Sequence, residues 1–416
     1  MNATHLATRA AERRHGPESG PGARPRTLAS YLALPRTGDI VKWIILPVGF
    51  LIGMAARGRP EQVDVLRAVV VWFSLELLVY QARYQWNDIR GFDADQRHPG
   101  GDRGRLPGPP ERRRSRFAWS AATAAAKIVL ACALCWALDV RTGVFMILLT
   151  AGVFGLAAVY EALRSVSTGR SDKAPAPITA GIVAIWIVIG AGYALRVVTG
   201  LGLAVDLTSS RLLLPMAVLT GWAFGIAWIT SRWAVEATAF ARLEGRRLRW
   251  YARRDQAREH QLALAPWLPD EVPSSVHDLG HWQPVKQRSA WSAPWNVAGV
   301  VAAGGAAACG ALLAGPGASG GTLVMCVGLG ILAGASVLAA GSRREVAIAV
   351  VLPIVIGAMA LAGVDTPTRA CLPWLALSVA QACYLRQDRA SLGQFLRRPA
   401  PRHKSISRGT TSTPQS

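Results

Sequence analysis

The sequence predicts an all-α polytopic membrane protein, and three observations support that fold class. Hydrophobic residues make up 51% of the 416-residue chain, and its mean hydropathy is +0.26. Only 17% of the residues are charged, whereas soluble domains carry about 25%. Apolar runs of about 20 residues, the length of a bilayer-spanning helix, recur along the chain and are separated by arginine-rich segments.

Nine or ten of these apolar runs are candidate membrane spans. The first run is the shortest of them. Basic and arginine-poor connections alternate along the chain, which favours an even number of spans and therefore ten. The candidate spans cover roughly 40–57, 62–86, 117–138, 142–162, 176–200, 211–231, 293–314, 320–341, 345–363 and 368–385.

The charge of the connections predicts the side of the membrane that they face. The segments 95–116 and 232–292 are rich in arginine, whereas the connections 139–143 and 315–321 hold one or none. We therefore expect a multi-pass protein of the cell membrane with both termini in the cytoplasm. This distribution also accounts for the net charge of +21. No recognition module accompanies the charge, so we expect no nucleic-acid partner.

Basic segments lie before, between and after two groups of spans. The first half of the central basic segment has helix-forming composition with apolar residues at helical spacing, and its second half is a proline-rich loop. The predicted regions are a disordered cytoplasmic tail at 1–39, spans one to six at 40–231, a basic cytoplasmic insertion at 232–292, the remaining spans at 293–386 and a second disordered tail at 387–416.

The run NDIRGFDADQRHP, residues 87–99, follows the second span directly. Asp88 and Asp95 are seven residues apart, so a continuous helix would place both carboxylates on one face. Asn87 and Asp93 add further oxygen atoms. Hard oxygen ligands at an aqueous mouth suit Mg²⁺, so the run predicts a magnesium site.

Three arginines accompany the acids of this run: Arg97 near its end, and Arg103 and Arg105 after it. Guanidinium groups match the geometry of phosphate, and the neighbouring spans are apolar. Together they predict a substrate with a phosphorylated head and a lipid tail. The alternative interpretation is a solvated loop in which the acids neutralise the arginines.

The run resembles the first signature of the UbiA superfamily of intramembrane prenyltransferases. Its ending, from Asp95 to Pro99, is most similar to the branch that contains decaprenyl-phosphate phosphoribosyltransferases. VYEALRS, with Tyr160 and Arg164 at the end of span four, resembles the family's Tyr-x-x-x-Lys. GAGYALRVVTG, with Arg196, resembles a landmark late in the family's fifth span. The resemblance covers about 40–235.

The resemblance implies a helical bundle with a central cavity open to lipid and makes 40–231 the catalytic half. It implies Mg²⁺-dependent transfer of a prenyl group from a polyprenyl diphosphate, or chemistry on a polyprenyl phosphate, with an acceptor that the sequence does not identify. The implied catalytic residues are Asp88, Asp95, Tyr160 and Arg164. The implied phosphate ligands are Arg97, Arg103, Arg105 and Arg164. The implied metal ligands are Asn87, Asp88, Asp93, Asp95 and Asp172.

The chain departs from the family pattern at two positions. Gly91 stands where the first signature has an acid, and Ile185 stands where the second aspartate motif is expected. Asp172 is the nearby acid that could replace it. These departures keep three alternatives open: a polyprenyl-phosphate phosphoribosyltransferase, a terpene cyclase of the same superfamily, and a non-catalytic or transport protein on the same fold.

Charged residues also interrupt the predicted spans. Such residues usually face the bundle interior and find partners there. Lys127 is expected either to pair with Glu76 or to contact phosphate. Arg196 is interpreted as structural.

Overall fold

A computed structural model describes residues 27–386 with short gaps, and helices dominate it. Arg97, Arg103 and Arg105, predicted to bind phosphate, lie outside the described residues. The gaps within this range are 59–60, 97–105, 109, 253, 275, 277–278, 280–281, 283, 287–288 and 316.

The end of the predicted N-terminal tail is structured, which corrects the disordered assignment of 1–39. Helix α1, Leu28–Ala33, begins with Thr27, whose side chain accepts a hydrogen bond from the Ser30 backbone. Its Tyr31 is fully buried, in a small core with Phe92 and Leu106. The tail pattern misses this helix because six residues are too few to show an apolar period.

The first span enters through a 3₁₀ segment, Thr37–Ile44, and continues as α2, Ile45–Arg57. The second span is three consecutive helical segments: α3, Gln62–Phe73, a π-helical stretch, Ser74–Val79, and α4, Tyr80–Arg90. A short helix α5, Phe92–Gln96, follows and carries the last acids of the 87–99 run.

Four long helices complete the first group of spans. They are α6, Arg113–Leu138, α7, Val140–Ser167, α8, Ala180–Gly202, and α9, Leu213–Ala237. Helices α2 and α8 approach closely at Gly200, where an added Cβ would lie 2.3 Å from the Leu46 carbonyl oxygen. Small residues allow this kind of close packing between membrane helices.

The insertion differs from the helix predicted for its first half. A 3₁₀ turn, Thr238–Phe240, leads into an antiparallel hairpin of β1, Ala241–Glu244, and β2, Arg247–Trp250. Gly245 adopts φ +65° at the turn, a conformation that favours glycine. The helical prediction for this stretch is wrong, because the turn allows ARLE and RLRW to pair as alternating strands. A short helix α10, Glu259–Leu262, follows.

The last group of helices packs on α9 around a core of small side chains. At Gly310 of α11 an added Cβ would lie 1.8 Å from the Ala370 carbonyl oxygen, so only glycine fits that contact. The helices are α11, Pro294–Ala314, α12, Gly320–Ala339, α13, Arg344–Leu361, α14, Pro367–Ala370, and α15, Leu372–Arg386.

Eight helices in the described chain are long and apolar enough to cross a membrane, as expected of a polytopic α-helical membrane protein. Two of the ten candidate spans are not among the eight. The second is divided by the π-helical stretch, and the fifteen residues of α15 fall short of a full span. The eight are Asp39–Arg57, Arg113–Leu138, Val140–Ser167, Ala180–Gly202, Leu213–Phe240, Pro294–Ala314, Gly320–Ala339 and Gly341–Leu361.

Candidate functional site

Residues 87–96 lie at one end of the bundle, here called the charged end, where α4 ends and α6 begins. Asp88 is only 1% exposed there. It forms an ion pair with Arg36, which lies before the first span, and its Oδ2 accepts a hydrogen bond from the Tyr31 hydroxyl at 3.2 Å. Sequence reasoning missed both partners, because neither belongs to a recognisable motif.

Asn87 connects this pair to the end of α7. With its amide oriented to satisfy both neighbours, its nitrogen donates to Glu161 Oε1 at 2.7 Å and its oxygen accepts from Arg36 Nη2 at 2.9 Å. Glu161 in turn pairs with Arg164 at 3.2 Å. The first and second sequence landmarks therefore meet at the charged end.

Asp95 is paired by the insertion. Its Oδ1 lies 2.9 Å from Arg258 Nη2, and both side chains are largely buried. Burial lowers the pKa of Arg258, and the Asp95 carboxylate opposes that shift. Arg164 and Tyr160 also lie within electrostatic reach of Arg258. Two cations, a phenol and a carboxylate thus converge where α5, α7 and the insertion meet.

His260 lies beside these arginines, and sequence reasoning did not identify it. Its ring packs edge-on against Trp233 with centroids 4.8 Å apart, and Trp233 also contacts the ring of Tyr160. Burial, with Arg258 and Arg164 nearby, holds the pKa of His260 well below its ordinary value. The imidazole is therefore neutral, and its buried Nδ1 has no hydrogen-bond partner among the described residues. A neutral imidazole can accept a proton or a hydrogen bond.

The other two predicted metal ligands are exposed and separately paired. Asp93 lies 3.2 Å from Arg113 Nη1. Asp172 accepts a hydrogen bond from the backbone nitrogen of Arg254 at 2.6 Å, and its side chain is 64% exposed. Asp172 thus anchors a turn of the insertion, and Ile185 is fully buried in α8.

The described carboxylates do not fit the predicted magnesium site. Within the described ranges, no three His, Cys, Asp or Glu side chains form a group that could hold a metal ion. Asp88 and Asp95 do share one region, because both act electrostatically on Arg36. Each is already neutralised by a guanidinium group. As in the alternative interpretation of a solvated loop, the acids neutralise arginines. Unlike the pairs of a solvated loop, these pairs are buried.

Gly91 explains part of this difference. An added Cβ at position 91 would lie 3.4 Å from Asp95 Oδ2 and 3.2 Å from the Asn87 carbonyl oxygen. An acid there would place a second carboxylate against Asp95. With glycine, no second carboxylate lies at position 91 beside Asp95, which pairs with Arg258.

Replacing Gly91 with aspartate is expected to create a response to magnesium. The new carboxylate at position 91 would provide, together with that of Asp95, the clustered oxygen ligands that Mg²⁺ prefers. Thermal unfolding of purified protein, with and without millimolar Mg²⁺, measures the effect. The midpoint should rise with Mg²⁺ in Gly91→Asp and stay unchanged in the wild type. Gly91→Asn is the uncharged control, and an equal rise in the wild type would contradict the expectation.

A second polar network lies at the same end. Asp39 pairs with Lys42 at 2.8 Å and with Arg232 at 3.5 Å. Arg232 also contacts Glu236 at 3.5 Å, which accepts from Gln261 of the insertion. These contacts tie α9 and the insertion to the segment before α2.

The charges inside the bundle find different partners from those expected. Glu76 pairs with Arg196 through two contacts of 2.6 and 2.9 Å, and the Arg196 guanidinium lies 3.5 Å from the Tyr80 ring centre. The predicted Lys127–Glu76 pair is therefore wrong. Lys127 Nζ instead donates to the Leu32 carbonyl oxygen at 2.8 Å, because α1 packs over α6.

Comparisons with known proteins give no relative: no family model, curated protein or solved structure matches the chain.

Proposed function

We propose that the chain is an integral membrane transferase that acts on a polyprenyl diphosphate or polyprenyl phosphate. The phosphates bind at the charged end, between α5, α7 and the insertion, and the prenyl chain lies in a cavity of the bundle that opens to lipid. The observation that supports this most is the convergence of Arg164 and Arg258 on Asp95. Both termini lie in the cytoplasm in this proposal, because the charged end carries the basic connections.

The arginines provide the chemistry that a departing diphosphate needs. Two guanidinium groups close together repel each other, and a phosphate between them relieves that repulsion while forming bidentate hydrogen bonds. Preorganised cations in a site of low dielectric stabilise developing negative charge strongly. Arg164 and Arg258 therefore neutralise the leaving group directly.

Aromatic side chains beside the arginines suit an allylic cation. The rings of Tyr160 and Trp233 lie 6.4 Å apart, and aromatic faces attract cations. The acceptor must bring a nucleophile to the allylic carbon from which diphosphate departs. Neutral His260, close to Arg164 and Arg258, can accept a hydrogen bond from that nucleophile and orient it.

Diphosphate release tests the proposal. Purified protein in lipid nanodiscs is incubated with labelled geranylgeranyl and longer prenyl diphosphates, with and without candidate nucleophiles. We expect release by the wild type and its strong reduction in Arg258→Gln, which removes one of the two cations that face the diphosphate. Release without any acceptor would identify a cyclase. Consumption of phosphoribosyl diphosphate with a polyprenyl phosphate would identify the phosphoribosyltransferase alternative.

Removing divalent metal is expected to leave substrate binding largely intact, because arginines and not a metal group contact the phosphates. Affinity for a non-hydrolysable prenyl thiolodiphosphate should change by no more than about threefold, under 1 kcal/mol, when EDTA replaces Mg²⁺. Fluorescence or calorimetric titration measures it. A loss of about tenfold or more would show that the acids bind a metal ion.

A non-catalytic protein is the second candidate, and one observation favours it. Each predicted acid ligand is paired with an arginine from another part of the chain: Asp88 with Arg36, Asp93 with Arg113, Asp95 with Arg258 and Asp172 with Arg254. Two of these pairs, Asp95–Arg258 and Asp172–Arg254, join the insertion to the rest of the chain, and in this candidate all four pairs serve structure alone. Binding of the thiolodiphosphate without release from any diphosphate would support this candidate and count against the transferase.

A further inference from the structure

We propose a second ligand site, for an oxyanion carried on an apolar body, in a cleft that the first site does not use. The cleft lies among α9, α11, α12, α13 and α15, at the end of these helices that faces the insertion. It encloses about 430 Å³ of space between atoms, including the part that opens to solvent. The residues that line it do not belong to the 87–99 run.

Arg344, in the first turn of α13, is the central residue of the cleft. It is 8% exposed, and its Nε is buried with no hydrogen-bond partner. No carboxylate among the described residues forms an ion pair with it. A buried guanidinium without a counter-charge is costly, and such groups are normally paired. The missing negative charge is the feature that points to a ligand.

Other buried arginines show the contrast. Arg196 lies against Glu76, and Arg258 lies against Asp95. Both side chains are largely buried, and each guanidinium has a carboxylate oxygen within 3 Å. The chain therefore pairs its buried arginines elsewhere, and at Arg344 the partner must come from outside the described chain.

The remaining walls indicate the chemistry of that partner. The amide of Gln381 lines the cleft with Arg344, and its nitrogen can donate to an oxyanion. The Asn296 nitrogen, also in the lining, already donates to Ser289 Oγ and to the Ala290 carbonyl oxygen, both at 2.8 Å. An added Cβ at Gly299 would lie 3.2 Å from Gln381 Nε2, so glycine leaves room for that amide.

Aromatic and aliphatic side chains form the rest of the lining, with Phe224, Trp228 and Trp295 the largest. One cation, one amide donor and an apolar wall suit a single phosphate or carboxylate group attached to a hydrophobic body. In a membrane protein this chemistry comes either from an anionic lipid or from a soluble phosphate ester.

Thermal unfolding in a neutral detergent tests the site. Wild-type protein is titrated with long-chain phosphatidic acid in one arm and with inorganic phosphate in the other, and phosphatidylcholine is the neutral comparison. We expect the wild-type midpoint to rise by several degrees with at least one anion. A rise with phosphatidic acid alone identifies a lipid ligand, and an equal rise with phosphate identifies a soluble one.

Arg344→Met removes the charge and keeps the apolar stem. Without ligand its midpoint should equal or exceed that of the wild type, because an unpaired buried charge is gone, and its response to the anion should be lost. Arg343→Gln, at the exposed neighbouring arginine, should respond like the wild type. If Arg344→Met does not fold, Arg344→Gln takes its place, with bound lipid counted by native mass spectrometry. An anion response in these variants equal to the wild type's, or no response in the wild type, overturns the proposal.

Discussion

Replacing Glu76 with alanine is expected to lower the free energy of unfolding by about 3–5 kcal/mol. The substitution leaves the Arg196 guanidinium, whose side chain is 3% exposed, without its carboxylate inside the bundle. The partners that remain are neutral: the Gly192 carbonyl oxygen, at 3.2 Å, and the rings of Tyr80 and Tyr193. Unfolding of the purified protein in mixed detergent micelles, followed by circular dichroism, measures the change.

The matched control is Glu61→Ala, an exposed acid before α3, which should change the free energy by no more than about 0.5 kcal/mol. The double variant Glu76→Leu with Arg196→Met removes both charges and should recover most of the loss, since apolar replacement of a buried pair is often neutral. A double variant as unstable as Glu76→Ala would show that Glu76 acts through packing and not through its charge.

Replacing Arg164 with glutamine is expected to reduce diphosphate release on the order of 10²-fold, the effect of removing one preorganised donor from a charged transition state. Arg164 lies with Arg258 beside Asp95, so its loss halves the positive charge that faces the phosphates. The turnover rate should fall more than the apparent substrate affinity, because neutralisation matters most as diphosphate departs.

Two variants separate this role from folding. Arg170→Gln, at an exposed arginine after α7, should leave release unchanged. Arg164→Lys should retain most of the activity, because it keeps the cation at the position where the resembled family has lysine. If Arg164→Gln released diphosphate at the wild-type rate while binding the thiolodiphosphate normally, Arg164 would have no part in the proposed chemistry.

Hydrophobic length and charge alternation predicted the helices of the bundle well, because each span shows its period and its ends within about 20 residues of sequence. The meeting of Asn87 with the end of α7 was also predictable, since both landmarks fall at the same end of neighbouring spans. The hairpin of the insertion was not, because its strands are four residues long and rich in helix-forming arginine and leucine.

The partners of the acids were beyond prediction for a different reason. Arg36 is 52 residues before Asp88, and Arg258 is 163 residues after Asp95. The chain has 46 lysines and arginines, so composition gave no means of choosing these two. The same abundance hid Arg344, which belongs to no sequence pattern and forms no ion pair with a carboxylate among the described residues.

The two arginine partners become available at different times during synthesis. Arg36 has already been made when the ribosome reaches Asp88. The partner of Asp95, Arg258, is made only 163 residues later, after spans three to six. A nascent chain therefore carries Asp95 without Arg258 while spans three to six are inserted. The bundle encloses this carboxylate only after the segment with Arg258 has docked.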